Sequence, residues 1–405
     1  LNKLVFFITL GFVSTFIPAV SLVYLIFLFV QWFQKNNKLF NVSAFLGIVE
    51  ICGLEFWGRL TNMDPFFPYE ISKYLVFLYL VGFIFRNNIE IKSIPIILFI
   101  VCLLYSFWSI SQGQKFARVI SDANGLIIIL LAYMIFQTSS FQITKTQIRI
   151  LVTKWIDYLI LGLVFVLVET PNIENINFNL GANYSATGGE SANQVSTYLG
   201  FGAALLGYLM ISKKLYSGNL IIDRILFFGF LFQSLLTFSR GGIIVGMALI
   251  GYWIIVSRFF KFNARYLFVL FTLLGLFFLG FQYVDSRSKG LLSKRFNGET
   301  EATLAGKKEK NLNVITSNRL LIIEQNFIIF KSYFFGVGTS QGTTKRKELF
   351  GSNYNDHTEP SRWLVEYGIF GIILFIWFIS ILFKYVKFSF PDNPSRPYSA
   401  FLVAM

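Results

Sequence analysis

Two residues stand where apolar sequence makes charge costly. Arg240 lies in Ser239-Arg240-Gly241-Gly242, between apolar runs at residues 225–238 and 243–256. His357, the only histidine, directly precedes an apolar stretch that opens near Pro360. A charge inside a membrane-length apolar stretch marks a functional site by default. A guanidinium there offers bidentate hydrogen bonds to an anion. A neutral imidazole offers a general base. Arg362 and Glu366 follow His357 closely enough to orient it or a substrate. The combination reads as a membrane-embedded site for an anionic substrate. The plain alternatives are a turn arginine snorkelling to lipid phosphates and an exposed loop histidine.

The composition says what must position such a site. The chain has 405 residues, of which 55% are hydrophobic and 14% charged, and its mean hydropathy is +0.62. A soluble domain cannot hide that much apolar surface, whereas a polytopic membrane protein turns it to lipid. The 49 phenylalanines and 19 tyrosines suit lipid-facing helices and interfacial belts. Cys52 and Cys102 both fall in apolar runs and read as packing residues. One histidine and two such cysteines give no zinc or iron ligand set. The net charge of +14 sits mostly in short loops between apolar runs, which argues against nucleic acid. The opening apolar run lacks a small-residue cleavage signature and reads as a membrane helix.

Apolar runs fall at residues 4–16, 18–33, 39–57, 71–85, 94–110, 119–137, 151–168 and 193–211. They continue at 225–238, 243–256, 266–284 and 360–383, with another opening near Ser399. The expected fold is an all-α, polytopic transmembrane bundle of about 12–13 helices, forming one integral membrane domain over residues 1–405. The first two runs can be one helix bent at Pro18. With a cytoplasmic N-terminus, alternate loops carry Lys35 and Lys38, Arg86 and Lys92, Lys145 and Arg149. The same side takes Lys213, Lys214 and Arg224, then Arg258, Lys261 and Arg265, then Lys384 and Lys387. The opposite short loops are poorer in basic residues, with Arg59, Lys115 and Arg118 as exceptions. The positive-inside rule then places Arg240, the 169–192 loop and the long 285–359 loop outside.

One straight helix over residues 225–256 would be about 48 Å long, too long for a ~30 Å hydrocarbon core. A hairpin of two short helices, turning at Gly241-Gly242, resolves this and puts Arg240 at its tip. In the long loop, residues 318–330 have helical apolar spacing, with Leu320, Ile323, Phe327 and Phe330 on one side. This predicts an amphipathic helix along the membrane surface, opened by Arg319 and ended by Gly336-Val337-Gly338. The polar stretch from Lys289 to Lys310 reads as flexible. Pro360 suits a first helical turn, so the last complete helix is expected to start there. Its N-terminus adds an anion-binding end beside His357.

These residues, taken in order, resemble the bacterial O-antigen ligase and Wzy-type O-antigen polymerase superfamily. Tyr184-Ser185-Ala186-Thr187-Gly188 with Ser191-Ala192-Asn193 is similar to its outer-face glycine and asparagine element. Thr237-Phe238-Ser239-Arg240-Gly241-Gly242 resembles its SRG tip. Arg319 with Gly336-Val337-Gly338, and His357 with Leu364-Val365-Glu366-Tyr367-Gly368-Ile369-Phe370-Gly371, resemble its two later signatures. The chain departs from the pattern in Thr358, where asparagine is frequent, and lacks an arginine ahead of the first element. The resemblance covers residues 180–385 by motif.

It implies metal-independent glycosyl transfer without a cofactor, at the outer face of the bacterial inner membrane. The implied donor is a glycan on undecaprenyl pyrophosphate. His357 and Glu366 are the implied catalytic pair; Arg240, Arg319, Arg362, Ser239 and Asn193 are the implied substrate-binding residues. The implied partners are the lipid-linked oligosaccharide, the bilayer, a flippase and a chain-length regulator. Polymerisation of O-antigen or exopolysaccharide repeat units is the expected activity. Ligation of the finished glycan to lipid A–core or protein shares the same donor and chemistry. A non-enzymatic transporter is disfavoured, because no internal repeat is evident and the unusual charges cluster on one face.

Overall fold

A computed structural model describes the chain apart from Leu1, residues 35–39, 63–70, 87–92, 137–144, Lys213, 257–263, Lys308, Ser317, 353–358 and 389–405. Among the described residues the fold is all helical, with no strand. The order is α1 Asn2–Phe16, α2 Ala19–Gln34, α3 Phe40–Leu60, α4 Ile71–Arg86, α5 Ser93–Ser111 and α6 Phe116–Phe136. Next come α7 Lys145–Glu169, α8 Ala192–Ile211, α9 Leu220–Leu236, α10 Arg240–Val256, α11 Ala264–Arg287 and α12 Leu291–Phe296. The series ends with α13 Glu301–Leu304, α14 Leu312–Ile315, α15 Arg319–Ser332, α16 Gly342–Phe350, α17 Glu359–Tyr367 and α18 Ile369–Phe388.

Among the described residues, three helices are long and apolar enough to cross a membrane, at Phe116–Ile135, Thr146–Glu169 and Ala192–Ile211. Shorter apolar helices accompany them at Asn2–Phe16, Ala19–Leu28, Ser72–Phe85, Ile96–Ser111, Arg240–Gly251 and Ile369–Ser380. Large apolar side chains such as Phe12, Val23, Leu104 and Ile376 are exposed on them, as a lipid-facing surface requires. The chain is a helical membrane protein. α1 and α2 are separate helices that meet at Ile17-Pro18. Cys52 and Cys102 are free thiols.

The chain divides into two compact units. The first comprises Leu1–Tyr69 and Lys145–Lys310; the second comprises Glu70–Thr144 and Asn311–Met405.

In the first unit α1 and α3 pack on α7 through small residues. A Cβ at Gly11 would stand 3.0 Å from the Leu161 carbonyl, and one at Gly162 would stand 2.2 Å from the Phe56 ring. The Trp57 indole donates to Ser14 Oγ at 3.0 Å, so the buried N–H has its partner. α8 and α10 approach more closely still. A Cβ at Gly242 would meet the Ser196 carbonyl at 2.0 Å, one at Gly246 the Gly200 carbonyl at 2.7 Å, and one at Gly200 the Gly242 carbonyl at 2.1 Å. Small residues four apart on each helix let the backbones touch, the arrangement by which helices associate in lipid.

This corrects the reading of Gly241-Gly242 as the hairpin turn. The turn lies one step earlier, at residues 237–239, where Phe238 takes φ 55°. The two glycines are already in α10, and Gly242 serves the crossing with α8. The stretch from Lys289 to Lys310 also differs from expectation. It contains α12 and α13, with Leu292 fully buried, because an apolar pair at Leu291-Leu292 anchors an otherwise polar segment.

In the second unit the run at 360–383 is not one helix. It breaks at Gly368, φ 57°, into amphipathic α17 and apolar α18. The Phe334–Gly338 segment lies against that break. Val337 N donates to Val365 O at 2.9 Å, Gly338 N to Glu366 O at 2.9 Å, and Ile369 N to Phe334 O at 3.0 Å. A Cβ at Gly336 would stand 2.6 Å from the Glu366 carbonyl. Trp363, Tyr367 and Leu374 close a core with Leu98 and Cys102 of α5 and Leu126 and Leu130 of α6.

α15 forms as expected but ends at Ser332, ahead of Gly336. Leu320, Ile323 and Phe327 are exposed on it, and its buried side holds Ile322, Gln325, Asn326 and Ile329. The apolar stripe faces outward because the inner side carries polar contacts to α17 and α16.

Gly246→Leu should separate α8 from α10 and lower the thermal unfolding midpoint of the purified protein in detergent. Overpacking of this kind costs about 1–3 kcal/mol or more. Gly251→Leu, where a Cβ meets nothing within 4 Å, should leave the midpoint near the parent value. Equal midpoints for the two variants would contradict the crossing.

Candidate functional site

The first unit builds a rigid tip. α9 ends at Leu236, and Thr237, Phe238 and Ser239 turn the chain into α10. Phe238 is fully buried and stacks on Phe178 at 5.1 Å, which holds its left-handed backbone in place. Asn183 clamps the turn from outside: its N–H donates to Thr237 O at 3.0 Å and its Nδ2 to Leu236 O at 3.0 Å. Ser196 Oγ donates to Ser239 O at 3.1 Å, and Ser239 Oγ donates to Asn193 Oδ1 at 2.8 Å. Ser239 and Asn193, both expected to touch substrate, are thus brought together, and they hold one another. Arg240 is half-buried and opens α10, where the helix presents its positive end.

Sequence reasoning missed Asn183, although it lies one residue before the Tyr184-Ser185-Ala186-Thr187-Gly188 element. It also passed over Arg59 as a mere exception to the charge rule. Arg59 Nη1 donates to Gln194 Oε1 at 2.8 Å, next to Asn193, and Nη2 meets Glu55 at 3.0 Å.

The second unit gathers Arg362 and Glu366. Glu366 is buried, and its Oε1 accepts from Ser340 N at 2.9 Å. Ser340 takes φ 66° and its Oγ bonds the Asp122 carboxylate from α6. Arg362 Nη1 lies 3.6 Å from Asp122 Oδ1, and Nη2 lies 2.6 Å from Glu359 Oε2. Burial works against the Arg362 guanidinium, but Glu366, Glu359 and Asp122 outweigh it and hold its pKa above the ordinary arginine value. A second polar chain runs behind it. Arg346, fully buried on α16, donates to Asn326 Oδ1, and Asn326 Nδ2 donates to Ser361 Oγ at 3.0 Å. Neither Asp122 nor Arg346 was singled out from sequence. Asp122 carried a signal, being a carboxylate inside the apolar run at 119–137.

Arg319 opens α15 with its side chain exposed. His357 lies outside the described residues. Asn193, Ser239 and Arg240 belong to the first unit; Arg319, Arg362 and Glu366 belong to the second. Among the described residues no group of three or more His, Cys, Asp and Glu side chains is placed to hold a metal ion.

Glu366→Ala should leave the buried Ser340 N–H without its acceptor and cost about 1–3 kcal/mol of stability. Glu366→Gln keeps an acceptor oxygen and should unfold closer to the parent in the same thermal assay. A Gln variant as unstable as the Ala variant would remove the Ser340 bond from the account.

No curated protein and no solved structure matches the chain. A family model described as O-antigen ligase matches residues 225–376, well under half of the chain. The matched span contains the Ser239-Arg240 tip, Arg319, His357 and the α17–α18 break with Arg362 and Glu366. Residues 225–376 are therefore similar to the O-antigen ligase family, and within that similarity lie most of the residues singled out from sequence.

Proposed function

We propose that this protein transfers a glycan from undecaprenyl pyrophosphate to a sugar hydroxyl at the outer face of the bacterial inner membrane. The preferred activity is polymerisation of O-antigen or exopolysaccharide repeat units; ligation to lipid A–core or protein is the second reading. One observation carries the proposal: the O-antigen ligase match spans the Arg240 tip, Arg319 and the His357–Glu366 signature together.

In the proposed reaction the acceptor hydroxyl oxygen attacks the anomeric carbon of the donor. The bond from that carbon to the pyrophosphate oxygen breaks, and its electron pair leaves with undecaprenyl pyrophosphate. His357 takes the hydroxyl proton as general base. The leaving group is already a stable anion and calls for cations more than for a proton donor. Arg240 and Arg319 supply those cations, and the rigid Thr237–Ser239 turn supports the first of these roles by fixing where α10 starts. Arg362 binds substrate, and Glu366 keeps Arg362 charged and holds the Ser340 turn. No metal ion or cofactor is assigned a step. The bilayer holds the lipid tail, and a flippase and a chain-length regulator are the proposed accessory partners.

A strain lacking this protein should carry glycan capped with a single repeat, read as loss of the ladder on a glycan gel. Long polymer retained on the lipid carrier would instead establish a ligase, and an unchanged ladder would refute both. The parent gene should restore the ladder, while His357→Ala and Arg240→Ala, expressed at parent levels, should not.

The orientation has its own test. Ser352→Cys should react with an impermeant thiol reagent added outside intact spheroplasts. Labelling only after permeabilisation would reverse the topology.

A further inference from the structure

The first unit holds a second arginine beside the tip. α12 is fixed to the end of α11 by Asp285, whose carboxylate accepts from Ser293 N at 2.8 Å and from Ser293 Oγ at 2.7 Å. Leu292 and Phe296 then pack into the cluster that contains Leu236, Phe238 and Ile243, the residues on both sides of Ser239-Arg240. Phe296 also meets Phe281 edge to face at 5.5 Å. Arg295 stands between those two anchors on a helix that cannot turn without losing them. Its Nε is buried with no hydrogen-bond partner. Burial first and the charge of Arg240 second push its pKa below the ordinary arginine value, and no carboxylate is among the causes. The packing of α12 against Leu236, Phe238 and Ile243 therefore sets Arg295 beside the Ser239-Arg240 tip and within the field of Arg240, so an anion that reaches the tip meets a second guanidinium. Guanidinium forks suit phosphate oxygens, two at a time.

We propose that Arg295 joins Arg240 in binding the pyrophosphate of the lipid-linked donor, an inference that rests on the glycan-transfer reading above. Arg295 contacts the outgoing phosphates and takes no proton. A phospholipid headgroup offers the same chemistry, and the test separates the two.

Full-length protein in phosphatidylcholine nanodiscs is titrated with undecaprenyl pyrophosphate, and binding is read by thermal shift and native mass spectrometry. Arg295→Gln should weaken binding roughly tenfold to a hundredfold, the loss expected for charge-assisted hydrogen bonds. Arg295→Lys keeps the charge without the fork, should bind between the two, and guards against a Gln variant that fails to fold. Parent-like binding by Arg295→Gln would overturn the inference while leaving glycan transfer intact. Loss of parent binding when phosphatidylglycerol is added to the disc would reassign the arginine to lipid headgroups and overturn it equally. A parent that does not bind undecaprenyl pyrophosphate would overturn both this inference and the donor assignment.

Discussion

The turn that leads into Arg240 depends on the close crossing of α8 and α10. Gly242 against Ser196 and Gly246 against Gly200 bring main chains together without an intervening side chain. That approach delivers Ser196 and Asn193 of α8 to Ser239, so the turn before Arg240 is bonded on two sides. In lipid there is no hydrophobic drive between helices, and close packing plus hydrogen bonds must supply the association. Here one surface of α8 supplies both. The direction in which Arg240 leaves the tip is set by glycines on its own helix and by polar residues on another.

The second unit solves a related problem with extended backbone. The Phe334–Gly338 segment caps the break at Gly368 and satisfies carbonyls of α17 that a helix end would otherwise leave open. The same segment leads into Ser340, whose N–H fixes Glu366 and whose hydroxyl fixes Asp122. Arg362 is then surrounded by carboxylates that face it from α6 and from its own helix. A half-buried cation with this many carboxylates around it keeps its charge and its place.

Much of this was legible in sequence, and the reasons are specific. Hydropathy runs long enough to span a membrane gave the helical class, because lipid leaves the backbone few other options. Arg240 was legible because a charge in an apolar run is rare. The exact turn was not, since Gly241-Gly242 suits a turn and a helix crossing alike, and only the position of α8 decides between them. The break at Gly368 was hidden inside an apolar run, because the carbonyls that require it are satisfied by residues some thirty positions earlier. α12 was missed for a similar reason: six residues with two charges carry no period, and their anchoring to Phe238 is long-range. Asp122 and Arg346 gained meaning only from partners distant in the chain.

The glycine contacts also bear on genetics. Where a glycine faces a side chain, as Gly202 faces the Phe230 ring, a larger residue can be suppressed by a second substitution that trims the neighbour. At Gly336 and Gly368 the nearest atoms that a Cβ would meet are all main chain, from the opposite glycine and the residues beside it. Trimming a neighbouring side chain does not move those main-chain atoms away. Revertants of lesions at these two positions are therefore expected at the original codon, and a selection for second-site suppressors would check this.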